Sequence, residues 1–292
     1  MDIAFVILNY NIIQETLDCI HSIRHNIDTK KYSIIIVDNA SPNQAGKYFQ
    51  KFFKDDHNVI VIENKENLGF ARGNNIGIKR ARTLEPEFIC CLNNDVLLEQ
   101  KDFYKNLQNL YFTYHAAVIG PQIHLKDNSI FLYNQKLLSI HEYEMQREKY
   151  LRKLQTSNKM TSLLKNTKPI YRFIHRIREK RVTGKRLYEI PIIDQLDVVL
   201  HGCCLIFTKD FFEACDGLHE GTFLYREEEI LFVSLKKKGL HSCYSPKIQI
   251  KHLEDVSTKS INLKQSEADK MYLKNQVQSL SILINELKDN KL

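Results

Sequence analysis

Four times in its first hundred residues the chain runs a short apolar stretch straight into polar residues. Ile3 to Leu8 ends in Asn9-Tyr10-Asn11, and SIIIV at 33–37 ends in Asp38-Asn39-Ala40-Ser41. Val59 to Ile62 leads to Asn64 through Gly69, and Phe88 to Leu92 runs into Asn93-Asn94-Asp95. Runs this short and this apolar suit strands covered on both faces. Between them lie stretches with helical spacing: Ile13, Leu17, Ile20 and Ile27, then 43–54, then Asn74 to Arg82 entered through a glycine-containing turn. Strand and helix in alternation predict an α/β fold, with a Rossmann-like, doubly wound, mostly parallel sheet flanked by helices. In a parallel sheet the four polar exits fall on one edge, where ligands bind, and together they predict a cleft of nucleotide size.

The pattern continues with a helix near 101–114 and a short strand at 117–119, and then breaks. From about Tyr133 to Gln195 the chain is basic and poor in glycine, with Leu163, Leu164, Ile170, Tyr171, Phe173, Ile174 and Ile177 set among cations. This predicts an inserted helical arm. The formal net charge of +7 is concentrated there: Arg147 to Arg186 holds fourteen Lys/Arg against two acidic residues, so the segment carries +12 and the remaining chain −5. Any anionic partner implied by the charge is therefore local to the arm. Beyond it, 198–207 (VVLHGCCLIF) reads as a strand, TKDFFEACDG as a helix closed by Gly217, and REEEILFVSLKKKG as a helix closed by Gly239. Leu273, Val277, Leu280, Ile284 and Leu287 step by four and three, which predicts an amphipathic C-terminal helix two heptads long.

Several classes are excluded or disfavoured. No run approaches the 18 or so apolar residues of a membrane span. The start, MDIAFVILNYN, lacks a basic leader and reads as a first strand, so a cytoplasmic location is expected. Seven cysteines, an odd number without a C-x-x-C, look like reduced core residues instead of a disulfide frame or a zinc site. The glycines of NLGFARGNN do not have the G-x-G-x-x-G spacing of a dinucleotide fingerprint, which argues against a dehydrogenase.

The strings VILNYN, VDNAS, NLGFARGNN and LNND, followed by FLYREEEIL and a late histidine, resemble the family 2 glycosyltransferases of the GT-A fold. The likeness is strongest to the rhamnosyltransferase-like branch of bacterial surface-polysaccharide assembly. It covers about residues 1 to 120 and 195 to 260, and leaves the basic arm unmatched. Under this resemblance, 1–132 is the nucleotide-sugar-binding half of the GT-A domain, 133–195 the basic helical insertion, 196–260 the acceptor and catalytic half, and 261–292 the C-terminal helix. The implied reaction is inverting transfer of a sugar from a UDP- or dTDP-sugar to a hydroxyl of a growing, lipid-linked surface glycan.

The resemblance also implies roles. Asp95 is the metal-binding carboxylate of the family's D-x-D signature, for Mn²⁺ or Mg²⁺, which are hard cations that take oxygen ligands. Asn93 stands where the first Asp of that signature often stands and brings no charge; with Asn94 it is expected near the nucleotide. Asp38 matches the base-binding Asp, and an Asx-turn residue before Ser41 is the competing structural reading. Asn9 and Tyr10 flank the nucleoside, while Gly69, Arg72 and Asn75 are expected at the diphosphate. Glu227-Glu228 align with the family's acidic pair: Glu228 is the expected base and Glu227 the second choice, with three adjacent carboxylates raising one another's pKa. His201, Gly202 and Cys203 are expected on the acceptor side, with Gly202 leaving room for the sugar, and His252 is expected to reach the metal or diphosphate.

The arm interleaves cations with apolar residues, as do segments lying on an anionic leaflet, so peripheral contact with the inner face of the plasma membrane is expected. Two rival readings are a polyanion-binding protein acting through the arm and a non-catalytic GT-A scaffold that dimerises through Leu273 to Leu287. No nucleic-acid-binding fold surrounds the arm, and no nucleic acid partner is expected.

Overall fold

The computed structural model of the chain describes residues 1–132, 135–163, 192–253 and 265–289. Its elements follow in the order β1 (Ile3–Asn9), α1 (Gln14–Asn26), β2 (Tyr32–Asp38), α2 (Ala45–Phe52), β3 (Val59–Glu63), α3 (Gly69–Arg82), β4 (Phe88–Asn93), β5 (Val96–Leu97), α4 (Phe103–Tyr114) and β6 (Val118–His124). Then come α5 (Ile140–Leu163), β7 (Gln195–Leu196), β8 (Cys204–Thr208), α6 (Lys209–Ala214), α7 (Glu227–Lys237), β9 (Ser242–His252) and α8 (Gln265–Asp289). The strands form one nine-stranded sheet in the order β3-β2-β1-β4-β8-β6-β9-β5, with β7 also paired to β9.

Strands β1 to β4 are parallel, as their alternation with helices requires. Alternate residues of β1 serve opposite faces. Ile3, Phe5 and Ile7 pack with Ile20, Ile23, Phe49, Phe103 and Leu107 of α1, α2 and α4. Ala4 and Val6 pack with Ala71, Ile78 and Ala81 of α3, Phe211 of α6 and Leu231 and Leu235 of α7. Covering both faces explains why each strand is almost wholly apolar.

Three expectations are corrected. The sheet does not continue from β4 to β6, because β8 enters between them and runs antiparallel to both. Its amino-terminal end therefore lies beside the carboxyl end of β4, where Leu92 pairs with Cys204. The strand expected over 198–207 begins only at Cys204, since residues 201–203 make a turn. Helix α3 begins at Gly69 and not near Asn74, because Gly69 and Gly73 are part of the helix.

The C-terminal stripe is spent within the chain. Leu280, Leu283, Ile284 and Leu287 of α8 are buried with Tyr143 of α5 and with Ile230 and Val233 of α7. The face expected to join two copies is thus covered by the chain's own helices. The first part of the basic arm is helical in α5, and residues 164–191, with most of its cations and apolar positions, lie outside the described residues. No helix of the described residues is long and apolar enough to cross a membrane. All seven cysteines are free, and all but the half-buried Cys215 are buried.

Candidate functional site

Two polar clusters meet at the edge formed by the ends of β1, β2 and β4. The first is a closed knot. Asp38 is only 2% exposed. Its carboxylate accepts from Asn9 Nδ2 at 2.8 Å, from the Ser41 backbone N–H at 3.1 Å and from the Ser41 hydroxyl. Asn9 Oδ1 in turn accepts from Thr16 Oγ1 at 2.9 Å and from Asn94 Nδ2 at 3.3 Å. Beside it, buried Asn39 donates to Asn67 Oδ1 and to the Gly69 carbonyl, and accepts from Asn64 and from the Leu68 N–H. The Asx turn between Asp38 and Ser41 is formed. Asn94 is 3% exposed and also donates to Thr16 Oγ1 of α1 at 3.2 Å. Tyr10 is half-buried at the β1 exit. The sequence reading did not single out Asn39 or Thr16; neither type stands out in a loop or helix until its partners are known.

The second cluster gathers at the end of β4 and the start of β8. The Asn93 N–H donates to the Cys203 carbonyl at 2.9 Å, tying the two strand ends together. Asp95 follows, 3% exposed, with Oδ1 3.1 Å from His252 Nε2 at the end of β9. The His252 backbone pairs with Val96, and the Asp95 carbonyl accepts the Leu253 N–H, so this meeting is fixed by strand register. His252 Nδ1 is buried and has no hydrogen-bond partner among the described residues. The His201 ring lies 6.2 Å from the His252 ring and 5.2 Å from that of Phe131. Burial and the neighbouring His252 push His201 down to about 4, so it is a neutral imidazole near pH 7.

The acidic triple opens α7. Burial, and then Glu228, push Glu227 up to about 7; this side chain is 7% exposed, and its Oε1 has no partner among the described residues. Glu228 accepts the Gly202 N–H at 3.0 Å, and burial raises its pKa. Glu229 is also raised by burial, but it is engaged by Arg226 Nη1 at 2.7 Å, and Arg226 Nη2 reaches Gln146 of α5 at 3.0 Å. Arg226 and Tyr225 both have positive φ, 69° and 78°, a strained pair immediately before the carboxylates. The buried Cys203 thiol is raised by burial first, then by Cys204, Asp95 and Glu228.

Three further expected residues contact the loop ahead of α7. Asn75 donates to the Leu218 carbonyl at 2.8 Å and accepts its N–H at 2.8 Å, clasping α3 to the loop ahead of α7. Arg72 Nε donates to the Glu220 carbonyl at 3.0 Å, on the same loop. Gly69, at φ 77°, has no room for a side chain, because a Cβ would lie 2.2 Å from the Phe223 carbonyl oxygen. These three, expected at the diphosphate, anchor the loop that carries the acidic triple. The space above Gly202, expected to admit the sugar, is filled by Glu228.

The sequence matches the model of glycosyl transferase family 2 over residues 4–176, more than half of the chain. The chain belongs to that family. No curated protein matches this family 2 chain. Among solved structures, S. aureus TarS 1–349 is 13% identical and superposes over 99% of this chain and 72% of that one with a TM-score of 0.53. GalNAc-T7 with UDP, GalNAc and Mn²⁺ is 14% identical, over 99% of this chain and 55% of that one, with a TM-score of 0.59. At these identities the likeness establishes the shared GT-A architecture: a mostly parallel sheet flanked by helices. The chain spans from 38 to 72% of the TarS chains it matches.

Among the described residues no three His, Cys, Asp or Glu side chains converge to hold a metal ion. Asp95 Oδ1 and His252 Nε2, 3.1 Å apart, offer two donors, a hard carboxylate oxygen and an imidazole nitrogen, at the separation of neighbouring ligands on one ion. That pair fits a divalent cation whose remaining ligands come from a bound anion and water.

Proposed function

We propose that this family 2 glycosyltransferase is an inverting, metal-dependent enzyme that moves a hexosyl or rhamnosyl unit from a UDP- or dTDP-sugar to a hydroxyl of a lipid-linked surface glycan. The observation that carries this reading is that the strand end bearing Asp95, 3.1 Å from His252, is tied through the Asn93 N–H to the Cys203 carbonyl at 2.9 Å, one residue from the Gly202 N–H that meets Glu228 at 3.0 Å. The GalNAc-T7 structure holds UDP and Mn²⁺ and a TarS structure holds UDP, which supports uridine diphosphate donors and a divalent cation. On this reading residues 1–132 form the donor half and 196–260 the acceptor half, and the basic arm meets an anionic membrane surface.

Asp95 and His252 would hold Mn²⁺ or Mg²⁺, and the ion supplies positive charge that offsets the charge developing on the leaving diphosphate. Asn9, Asp38 and Tyr10, at the exits of β1 and β2, line the nucleoside side. Glu228 takes the proton of the acceptor hydroxyl as that oxygen attacks the anomeric carbon in line. The new C–O bond forms while the bond to the diphosphate breaks, and its electron pair leaves with the diphosphate oxygen. Burial raises the Glu228 carboxyl above the ordinary carboxylate range, the direction that strengthens a base.

Calorimetric titration of UDP, dTDP and GDP, with and without Mn²⁺, tests the donor assignment. Metal-dependent binding of UDP or dTDP that falls at least about a hundredfold in Asp95→Ala is expected. Binding that is absent in the wild-type protein, or indifferent to both the metal and the substitution, would refute it.

A further inference from the structure

The acidic triple offers three carboxylates for one proton-transfer role, and their partners separate them. Glu229 is neutralised by Arg226 at 2.7 Å. Glu228 is instead met from the opposite element, by the Gly202 N–H at 3.0 Å. We propose that Gly202 is a positioning residue for the reaction: its backbone N–H holds Oε1 of Glu228 and so fixes where the second oxygen is presented to the acceptor hydroxyl. The proposal rests on the assignment of Glu228 as the base.

The turn that presents this N–H is itself anchored. The Cys203 N–H donates to His201 Nδ1 at 3.2 Å, and the Cys203 carbonyl accepts the Asn93 N–H at 2.9 Å. The peptide touching Glu228 is thus tied to the strand end that carries Asp95 two residues later. One hydrogen bond therefore references the base to the same piece of backbone as the other carboxylate of the site. Glycine is required there by space: a Cβ at 202 would lie 2.6 Å from Glu228 Oε1 and 3.2 Å from its Cδ. Any side chain at 202 displaces the carboxylate. An N–H donated to the ionised carboxylate also favours the charged form, the one a base needs. The other groups facing Glu228 are Arg226, which favours ionisation, its neighbours Glu227 and Glu229, and the Cys203 thiol.

The chain has ten glycines, so ¹⁵N-glycine labelling allows the Gly202 amide to be followed in the full-length protein. Its proton resonance is expected to move downfield as Glu228 ionises, and the response is expected to vanish in Glu228→Gln. A flat wild-type resonance, or an unchanged titration in Glu228→Gln, would overturn the proposal without reference to activity. In Gly202→Ala, turnover is expected to fall about a hundredfold with nucleotide affinity kept. The acid limb of its kcat profile moves up by about one pH unit as the hydrogen bond to the charged form is lost. Adding Glu228→Asp, whose shorter side chain withdraws from position 202, restores at least about tenfold of that loss. Gly202→Ala with wild-type turnover and an unmoved acid limb would also overturn it; if that variant does not fold, the wild-type amide titration decides alone. Failure of the glycosyltransferase reading is seen separately, as a wild-type protein that binds no sugar nucleotide while the Gly202 amide still follows Glu228.

Discussion

Polar residues are buried both at the ends of β1 and β2, as Asn9 and Asp38, and around β4 and β8, as Asp95 and Glu227, yet the two groups use their hydrogen-bonding capacity differently. Around Asp38 the groups satisfy one another: Asn9, Ser41, Thr16 and Asn94 close a network through the carboxylate and the Asn9 amide. Around Asp95 and Glu228 they do not. Glu227 Oε1 and His252 Nδ1 are buried without partners among the described residues, and burial raises Glu227 and Glu228 and depresses His201. A satisfied network rigidifies a fold, while buried groups short of partners cost stability and persist where chemistry needs them. On the proposed function, the satisfied first cluster holds the nucleoside side in a fixed shape, and the second carries the metal and the proton transfer.

Substitutions can break that division. The largest effect is expected from Glu228→Gln, which should lower turnover by about 10²- to 10⁴-fold while nucleotide binding stays within twofold, read by steady-state kinetics beside calorimetry. Retained turnover would move the base elsewhere. Asp38→Ala should act on folding, because three donors lose their acceptor in a buried knot; a loss of roughly 3 to 5 kcal/mol is expected from chemical denaturation. A fully stable Asp38→Ala protein would contradict the role of the knot in holding the fold.

Glu227→Gln sharpens the comparison with an effect of opposite sign. Its folded pKa of about 7 lies above the ordinary 4.5, so the ionised side chain costs stability. That cost is absent below about pH 4.5, grows as pH rises, and is complete above about pH 7. Removing the charge should therefore stabilise the protein at pH 8 by roughly 2 to 3 kcal/mol and leave it unchanged near pH 4. Thermal unfolding at the two pH values separates this outcome from a uniform shift.

Much of this was legible in the chain. The strands β1 to β4 announced themselves because burial on both faces demands unbroken apolar runs, and the polar residues at their exits marked the site edge. The acidic triple stood out as three carboxylates beginning an amphipathic stretch. Other features depend on contacts between distant segments. The insertion of β8 between β4 and β6 leaves no trace in the periodicity of any one strand. His201 to Cys203 looked like strand because the neighbours on both sides are apolar, whereas a turn is needed there to bring the Gly202 N–H to Glu228. Gly69 read as a turn residue, but its lack of a side chain admits the Phe223 carbonyl to the start of α3. Asn75 and Arg72 also hold the 218–220 loop, a contact the sequence did not reveal, because an amide or guanidinium beside a glycine does not show which backbone it will meet. The C-terminal stripe was apolar for the reason expected, burial, but its partners were the chain's own α5 and α7.

The most direct test of the central claim is a crystal structure of the protein with UDP and Mn²⁺, with anomalous diffraction measured to locate the manganese. The account predicts an anomalous peak within ligand distance, about 2.0 to 2.3 Å, of both Asp95 and His252, beside a diphosphate that lies on the Glu228 side of Cys203. Bound UDP with the manganese elsewhere, or with no ion at the Asp95–His252 pair, would contradict it.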